Sequence, residues 1–289
     1  MTPTEVLPGA LAHAYLELLD VEAARKAVDA AALRRLQRAH LHQVPYETVD
    51  IVLGRPPGID PIASARRVVG RRGGYCYHLN GAFSALLAWL GVDVTRHAAG
   101  VQNRATPEPV GPTGNHLALT ATLPDGSRWL VDAGLGDGPL EPLPLTAGAH
   151  AQPGFRYGLG PSVCGEGIWR FDHDARGGFF GFDMDLRGPA TMADFESMHA
   201  RLSTDSSFTR TLTAQRWVGD RIEILRGCVL TELTHSETRT TELTEKHEWW
   251  SVVIDRFGLA YGDLPSDELD RLWTFVRDGH AAWLESGSP

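Results

Sequence analysis

Cys76, His116 and Asp132 are the residues whose types and spacing could do covalent chemistry together. Cys76 follows Arg72-Gly73-Gly74-Tyr75 and opens a strongly apolar run. A thiol at a helix N-terminus faces unpaired backbone N–H groups and the positive end of the helix dipole, and both favour the nucleophilic thiolate. The two glycines let the backbone turn sharply and approach a ligand without side-chain clash. His116 is a candidate base and Asp132 a candidate orienting carboxylate. A Cys–His pair of this kind suits attack on a thioester, ester or amide carbonyl. Backbone N–H groups at the helix start, that of Cys76 included, would then supply an oxyanion hole.

Whether His116 and Asp132 can touch depends on one turn. In Leu123-Pro124-Asp125-Gly126-Ser127, Pro suits the first turn position, Asp the second and Gly a left-handed third, which gives a three-residue loop with a bulge. Pairing Leu123 with Ser127 puts Ala118 opposite Asp132. His116 is then the diagonal neighbour on the same face, roughly 7–8 Å away between Cα atoms. A two-residue turn centred on Asp125-Gly126 would send Asp132 to the opposite face. The residues favour the first register. A carboxylate behind an imidazole fixes its tautomer and keeps it basic. Each member has an inert reading: a buried cysteine, a structural strand histidine, a turn-capping aspartate.

The elements that must position these residues read as follows. Residues 9–43 look helical, with Leu11, Tyr15, Leu18 and Leu19, then Val28, Ala32, Leu36 and Ala39, at helical spacing until Pro45. Tyr46 to Leu53 reads as extended, and Gly54-Arg55-Pro56-Pro57-Gly58 as a loop. A short helix suits residues 61–71, and a helix from Cys76 to Leu90 ends at Gly91. Strands are expected at Val92–Gln102, Leu117–Leu123, Arg128–Ala133, Trp169–Phe171 and Phe179–Phe182. Thr191 to Leu202 returns to helical spacing, residues 221–245 alternate, and a last helix begins at Ser266. The expected organisation is a helical part at 1–91 carrying the cysteine, a β-rich part at 92–205 carrying His116 and Asp132, and a mixed part at 206–289.

Bulk properties narrow the function classes. The 289 residues are 43% hydrophobic and 22% charged, an ordinary globular balance. A net charge of −9 argues against a nucleic-acid partner. Three cysteines, Cys76, Cys164 and Cys228, are too few and too scattered for a disulfide framework or a zinc site, and Cys164 and Cys228 read as structural. No run approaches the length of a membrane span, and no basic leader precedes an apolar stretch, so the expectation is a cytoplasmic enzyme without a membrane partner. His40 and His42 point to different helix faces and do not suggest a metal pair. Arg66, Arg67, Arg71 and Arg72 read either as a solvated helix end or as a phosphate contact. Trp249 and Trp250 read as core.

Arg72-Gly73-Gly74-Tyr75-Cys76, Asn115-His116 and Val131-Asp132-Ala133-Gly134-Leu135-Gly136 resemble the arylamine N-acetyltransferase family. So do Val44-Pro45-Tyr46-Glu47-Thr48-Val49-Asp50, Pro139-Leu140-Glu141-Pro142-Leu143 and Ser203-Thr204-Asp205-Ser206-Ser207-Phe208, all in the family's order. The resemblance implies an α+β fold with an N-terminal helical bundle, a central β-barrel and a C-terminal α/β lid around a cysteine-protease-like Cys-His-Asp core. It implies a ping-pong reaction in which Cys76 takes an acetyl group from acetyl-CoA, or another acyl thioester, and passes it to an arylamine or hydrazine nitrogen. It implies that Tyr46, Leu135 and Phe208 line the acceptor pocket and that Gly134 and Gly136 let the acyl donor approach. No metal is implied. His78 stands where the family usually has Glu, and Leu135 and Tyr46 each replace a phenylalanine. A cationic His78 would favour the thiolate further, whereas a structural role would leave it neutral. The alternatives are an amide synthase fed by an acyl carrier protein, a thiol hydrolase of the transglutaminase or cysteine-protease type, and a silent binding protein.

Overall fold

The first apolar run forms two helices rather than one, α1 (Gly9–Leu19) and α2 (Ala30–Gln43). Asp20 takes a left-handed conformation, φ 54°, and ends α1. Asp29 starts α2 afresh, its Oδ1 accepting the Ala32 N–H at 2.7 Å, which satisfies one of the orphan donors of the first turn. The structure, a computed structural model, describes residues 4–22, 25, 28–152 and 154–286, so part of the expected single helix lies outside the described residues. Tyr46 to Leu53 also departs from expectation. A two-residue strand, β1 (Tyr46–Glu47), is followed by one helical turn, α3 (Val49–Val52).

Helix α4 (Pro61–Val69) begins with a proline under an Asp60 cap, the position where a missing N–H costs nothing. Helix α5 (Cys76–Leu90) starts at the cysteine and stops at Gly91, φ 87°, as the sequence predicts. Every residue of α5 except Ala88 is buried, because α4 packs on one side and the β-sheet on another.

The central strands are β2 (Asp93–Asn103), β3 (His116–Thr122), β4 (Arg128–Val131), β5 (Leu143–Pro144), β6 (Gly148–Gln152), β7 (Phe155–Pro161), β8 (Ile168–Asp172) and β9 (Phe179–Asp185). They form one antiparallel sheet in the order β5-β4-β3-β2-β9-β8-β7-β6. Ala99, Ala118, Leu159, Phe171 and Phe182, from both flanks of that sheet, meet in one core, so the sheet curls into a barrel. Strands β5, β6 and β7 go beyond those the residue pattern predicts. In β7, Phe155, Tyr157 and Leu159 do alternate inward, but intervening glycines dilute the pattern.

The run at 191–202 begins as a 3₁₀ turn, Met192–Phe195, and continues as α6 (Glu196–Thr204). Strands β10 (Thr213–Val218), β11 (Arg221–Arg226), β12 (Val229–Leu233) and β13 (Thr238–Glu242) make a second sheet with β1 at its edge. Helices α7 (Lys246–Ser251) and α8 (Ser266–Glu285) cover it through Trp249, Leu272 and Val276. The architecture is α+β, with a helical bundle, a barrel and a C-terminal α/β layer. No helix among the described residues is long and apolar enough to cross a membrane.

One feature of this layout fixes the glycine loop ahead of Cys76. Tyr46 bridges Gly74, and the Glu47 N–H donates to the Gly74 carbonyl at 2.9 Å. A Cβ on Gly73 would sit 2.0 Å from the Pro45 carbonyl oxygen, so only glycine allows this approach. Behind it, Arg67 pairs with Asp50 at 2.9 Å and with Glu47 at 3.4 Å. The Tyr261 hydroxyl donates to the same two carboxylates, at 3.0 and 3.2 Å. Burial outweighs Arg67 at Glu47 and pushes its pKa up to about 6. Replacing Arg67 by Met would leave buried Glu47 without its cation. Urea denaturation of Arg67→Met at neutral pH should show a loss of about 3–5 kcal/mol, and a loss below about 1 kcal/mol would count against the cluster as an anchor.

Candidate active site

Cys76 occupies the first position of α5, where backbone N–H groups have no carbonyl within the helix to bond. Its Sγ lies 3.9 Å from the Asn115 carbonyl oxygen. The residue is only 5% exposed, yet it is not sealed off. With His116 it lines a cleft of about 310 Å³ between the bundle, the barrel and the second sheet.

The β3–β4 hairpin adopts the expected register. Leu123 N–H donates to the Ser127 carbonyl, Gly126 turns with φ 83°, and Leu119 pairs with Val131. His116 and Asp132 therefore share a face, and His116 Nε2 donates to Asp132 Oδ2 at 2.7 Å. That leaves Nδ1 as the ring nitrogen available to Cys76. Burial alone would push the imidazole pKa down, but Asp132 and then Cys76 more than offset this and push it up to about 10.

Two residues the sequence reading passed over hold the aspartate. Asn80 Nδ2 donates to Asp132 Oδ1 at 2.8 Å and to the Leu117 carbonyl at 2.6 Å, while Asn80 Oδ1 accepts the Ala133 N–H at 2.8 Å. Gln37 Oε1 accepts the Asp132 N–H at 3.1 Å, and its Nε2 donates to the Pro139 carbonyl at 2.9 Å. Asn80 is four residues after Cys76 on one helix face, so its spacing was a usable signal. Gln37 lies ninety-five residues before Asp132, and nothing local marks it.

The two glycines assigned to the acyl donor differ. Gly134 lines the cleft, and its N–H donates to Asp132 Oδ1 at 2.9 Å. A Cβ there would lie 2.7 Å from the Cys76 Cα, so one reason for glycine is the close packing of this loop on α5. Gly136 turns with φ 77° against Gln215 and is not part of the cleft wall. Tyr46, Leu135 and Phe208 all line the cleft, joined by Phe179, Asp137 and Arg226. No motif or spacing in the chain marks Asp137 or Arg226.

His78 is buried and neutral. Burial, with Arg67 nearby, pushes its pKa down to about 3 despite the Pro57 carbonyl. Its Nδ1 accepts the Tyr75 N–H at 3.3 Å, and its Nε2 donates to the Pro57 carbonyl at 3.2 Å. It reaches back to the residue ahead of the helix as a Glu does in a capping box. The cationic reading of His78 is therefore corrected. None of Arg66, Arg67, Arg71 and Arg72 lines the cleft. Arg67 is in the ion cluster, and Arg72 lies 4.6 Å above the Tyr261 ring. His40 bonds the Tyr15 hydroxyl, and His42 Nδ1 the Trp217 carbonyl. Cys228 is buried as expected, whereas Cys164 is exposed at a turn.

A buried carboxylate–imidazole pair thus lies beside a helix-terminal cysteine on this α+β frame. The profile of an N-acetyltransferase family matches residues 29–263. The arylamine N-acetyltransferase of Mycobacterium tuberculosis is 32% identical over 238 residues, 80% of this chain and 83% of that protein. The structure of Mycobacterium marinum arylamine N-acetyltransferase in complex with CoA superposes with a TM-score of 0.81 at 27% identity, covering 91% of this chain and 97% of that one. Proansamycin X synthase of Amycolatopsis mediterranei is 32% identical over 149 residues, 50% of this chain and 56% of that protein. The chain belongs to the arylamine N-acetyltransferase family and is an acyltransferase.

Two outcomes follow from this geometry. Asn80→Ala strands the Ala133 N–H and removes one donor to Asp132, so denaturation should show a loss of about 1–3 kcal/mol. His116 has a folded pKa near 10 against 6.5 unperturbed. The stabilisation from its proton is full below about pH 6.5 and disappears as pH rises through about 10. The stability gap between the wild type and His116→Gln should therefore shrink from pH 6 to pH 10, roughly, when both are unfolded in urea. A gap that widens would reject the charged imidazole.

Proposed function

We propose that this enzyme moves an acetyl group from acetyl-CoA to an arylamine, hydrazine or arylhydroxylamine nitrogen by a ping-pong reaction through a Cys76 thioester. The observation that carries this reading is the 2.7 Å bond from His116 to Asp132 on the wall of the cleft that holds Cys76. In the first half-reaction the Cys76 sulfur attacks the thioester carbonyl carbon, forming a new C–S bond. Cys76 and Tyr77 N–H groups, free at the helix start, are suited to bind the oxyanion. Collapse breaks the bond to CoA, whose sulfur takes the proton from the His116 imidazolium.

In the second half-reaction the amine nitrogen attacks the acetyl carbonyl and gives its proton to His116. The Cys76 thiolate leaves, and the thiolate–imidazolium pair is restored. Asp132 orients the ring throughout. Aromatic amines are unprotonated near neutral pH, so their lone pair is available for this step. Tyr46, Leu135 and Phe208 support an aromatic acceptor by lining the cleft, and Gly134, on the same wall, is the glycine that supports a donor approach to Cys76.

A second reading differs only in the donor: an amide synthase loaded from an acyl carrier protein. Its support is the likeness to Proansamycin X synthase, together with Leu135 on the cleft wall where the family commonly has a phenylalanine. Incubation with acetyl-CoA alone should add one acetyl group to the intact mass, and Cys76→Ala should add none. Iodoacetamide should alkylate Cys76 quickly at neutral pH, and His116→Ala should remove that speed. No adduct from acetyl-CoA, but loading from an acyl-pantetheine mimic, would favour the carrier-bound donor. Turnover of peptides or esters without any amine would favour a hydrolase.

A further inference from the structure

Asp137 stands out among the cleft residues because its chemistry is not used by acyl transfer to or from Cys76. Among the described residues it is the one carboxylate on the wall of a pocket that otherwise mixes aromatic and aliphatic side chains with neutral polar ones and Arg226, and it is only 2% exposed. Two segments hold it in place. The Gly178 N–H donates to Oδ2 at 2.6 Å, and His173 Nε2 lies 3.6 Å from Oδ1. A Cβ on Gly178 would lie 3.1 Å from Oδ2, so the loop comes close to the carboxylate. Arg104 ties that loop down through the Ala175 and Gly177 carbonyls. Burial opposes the charge on Asp137, but His173 and the Gly178 N–H prevail and hold the carboxyl below the usual range. His173 is in turn raised by Asp137 against its own burial.

A buried carboxylate has about four lone-pair sites, and the contacts above use only part of them. No lysine or arginine among the described residues bridges to it. Across the pocket, Tyr46 carries a hydroxyl with no hydrogen-bond partner among the described residues, and its ionisation is disfavoured by burial first and then by Cys76, Tyr75 and Asp137. The pocket thus places a fixed acceptor and a rotatable hydroxyl near the nucleophile. Arg226, the other charged residue of the cleft wall, is exposed and is shared with a neighbouring cavity lined by Arg210, Phe275 and Trp283. It belongs to the mouth.

From this arrangement we infer that Asp137 selects the acceptor. The preferred substrates are aromatic amines whose ring carries a second hydrogen-bond donor, such as a hydroxyl, amino or carboxamide group, and ring carboxylates are rejected. This rests on the reading of the cleft as the acceptor site. A carboxylate brought against Asp137 would meet a like charge, which opposes its binding. A donor group would instead fill the unused lone pairs.

The test compares 4-aminobenzamide with 4-aminobenzoate, which match in size and differ in charge and donor capacity. Each is used to protect Cys76 of the full chain against iodoacetamide, so the readout is binding and needs no turnover. Wild type should be protected at concentrations at least about tenfold lower by the amide, and Asp137→Asn should bring the two within about threefold. A wild-type ratio near one, protection by neither compound, or a preference for the carboxylate that Arg226→Gln removes would each overturn the assignment. The wild-type ratio decides even if Asp137→Asn does not fold. Acetyl loading of Cys76, measured without any amine, fails or succeeds separately, so the two readings are distinguishable.

Discussion

A single buried carboxylate organises this protein. Asp132 is 3% exposed, in surroundings where an unpaired charge is not tolerated. Its oxygens are met by His116 from β3, Asn80 from α5 and the Gly134 N–H from its own loop. Its backbone N–H is taken by Gln37 from α2. Satisfying one charge therefore docks the helical bundle onto the barrel and sets His116 beside Cys76. The contacts that stabilise the fold and those that place His116 beside Cys76 are the same contacts.

The second constraint is how closely backbone must approach backbone around Cys76. Gly134 lies against the start of α5, and Gly73 lies against Pro45, each where a Cβ would collide. These approaches put the β4–β5 loop and β1 on two sides of the cysteine. Close packing leaves little freedom for the helix start. His78 belongs to the same support. As a neutral acceptor it ties down the Tyr75 N–H, a role open to an imidazole or a carboxylate alike.

Charge is then distributed by depth. The cleft has an exposed arginine at its mouth and a fixed carboxylate within, with Cys76 and His116 on the wall between bundle and barrel. The Leu135 side chain offers shape but no aromatic stacking, so polar groups weigh more in choosing what binds.

Much of this was legible in the chain. The span of α5, the turn at Pro124-Asp125-Gly126 and the resulting shared face of His116 and Asp132 follow from local rules of capping, turn conformation and strand alternation, which depend on neighbours in sequence. The break at Asp20, the helical turn at α3 and strands β6 and β7 were not legible, because tertiary packing and strand pairing overrode weak local patterns. The same division holds at the site. Cys76, His116 and Asp132 announce themselves by type and spacing. Gln37, Asp137 and the neutrality of His78 emerge only once distant segments converge, since burial and hydrogen-bond partners are set by the folded chain.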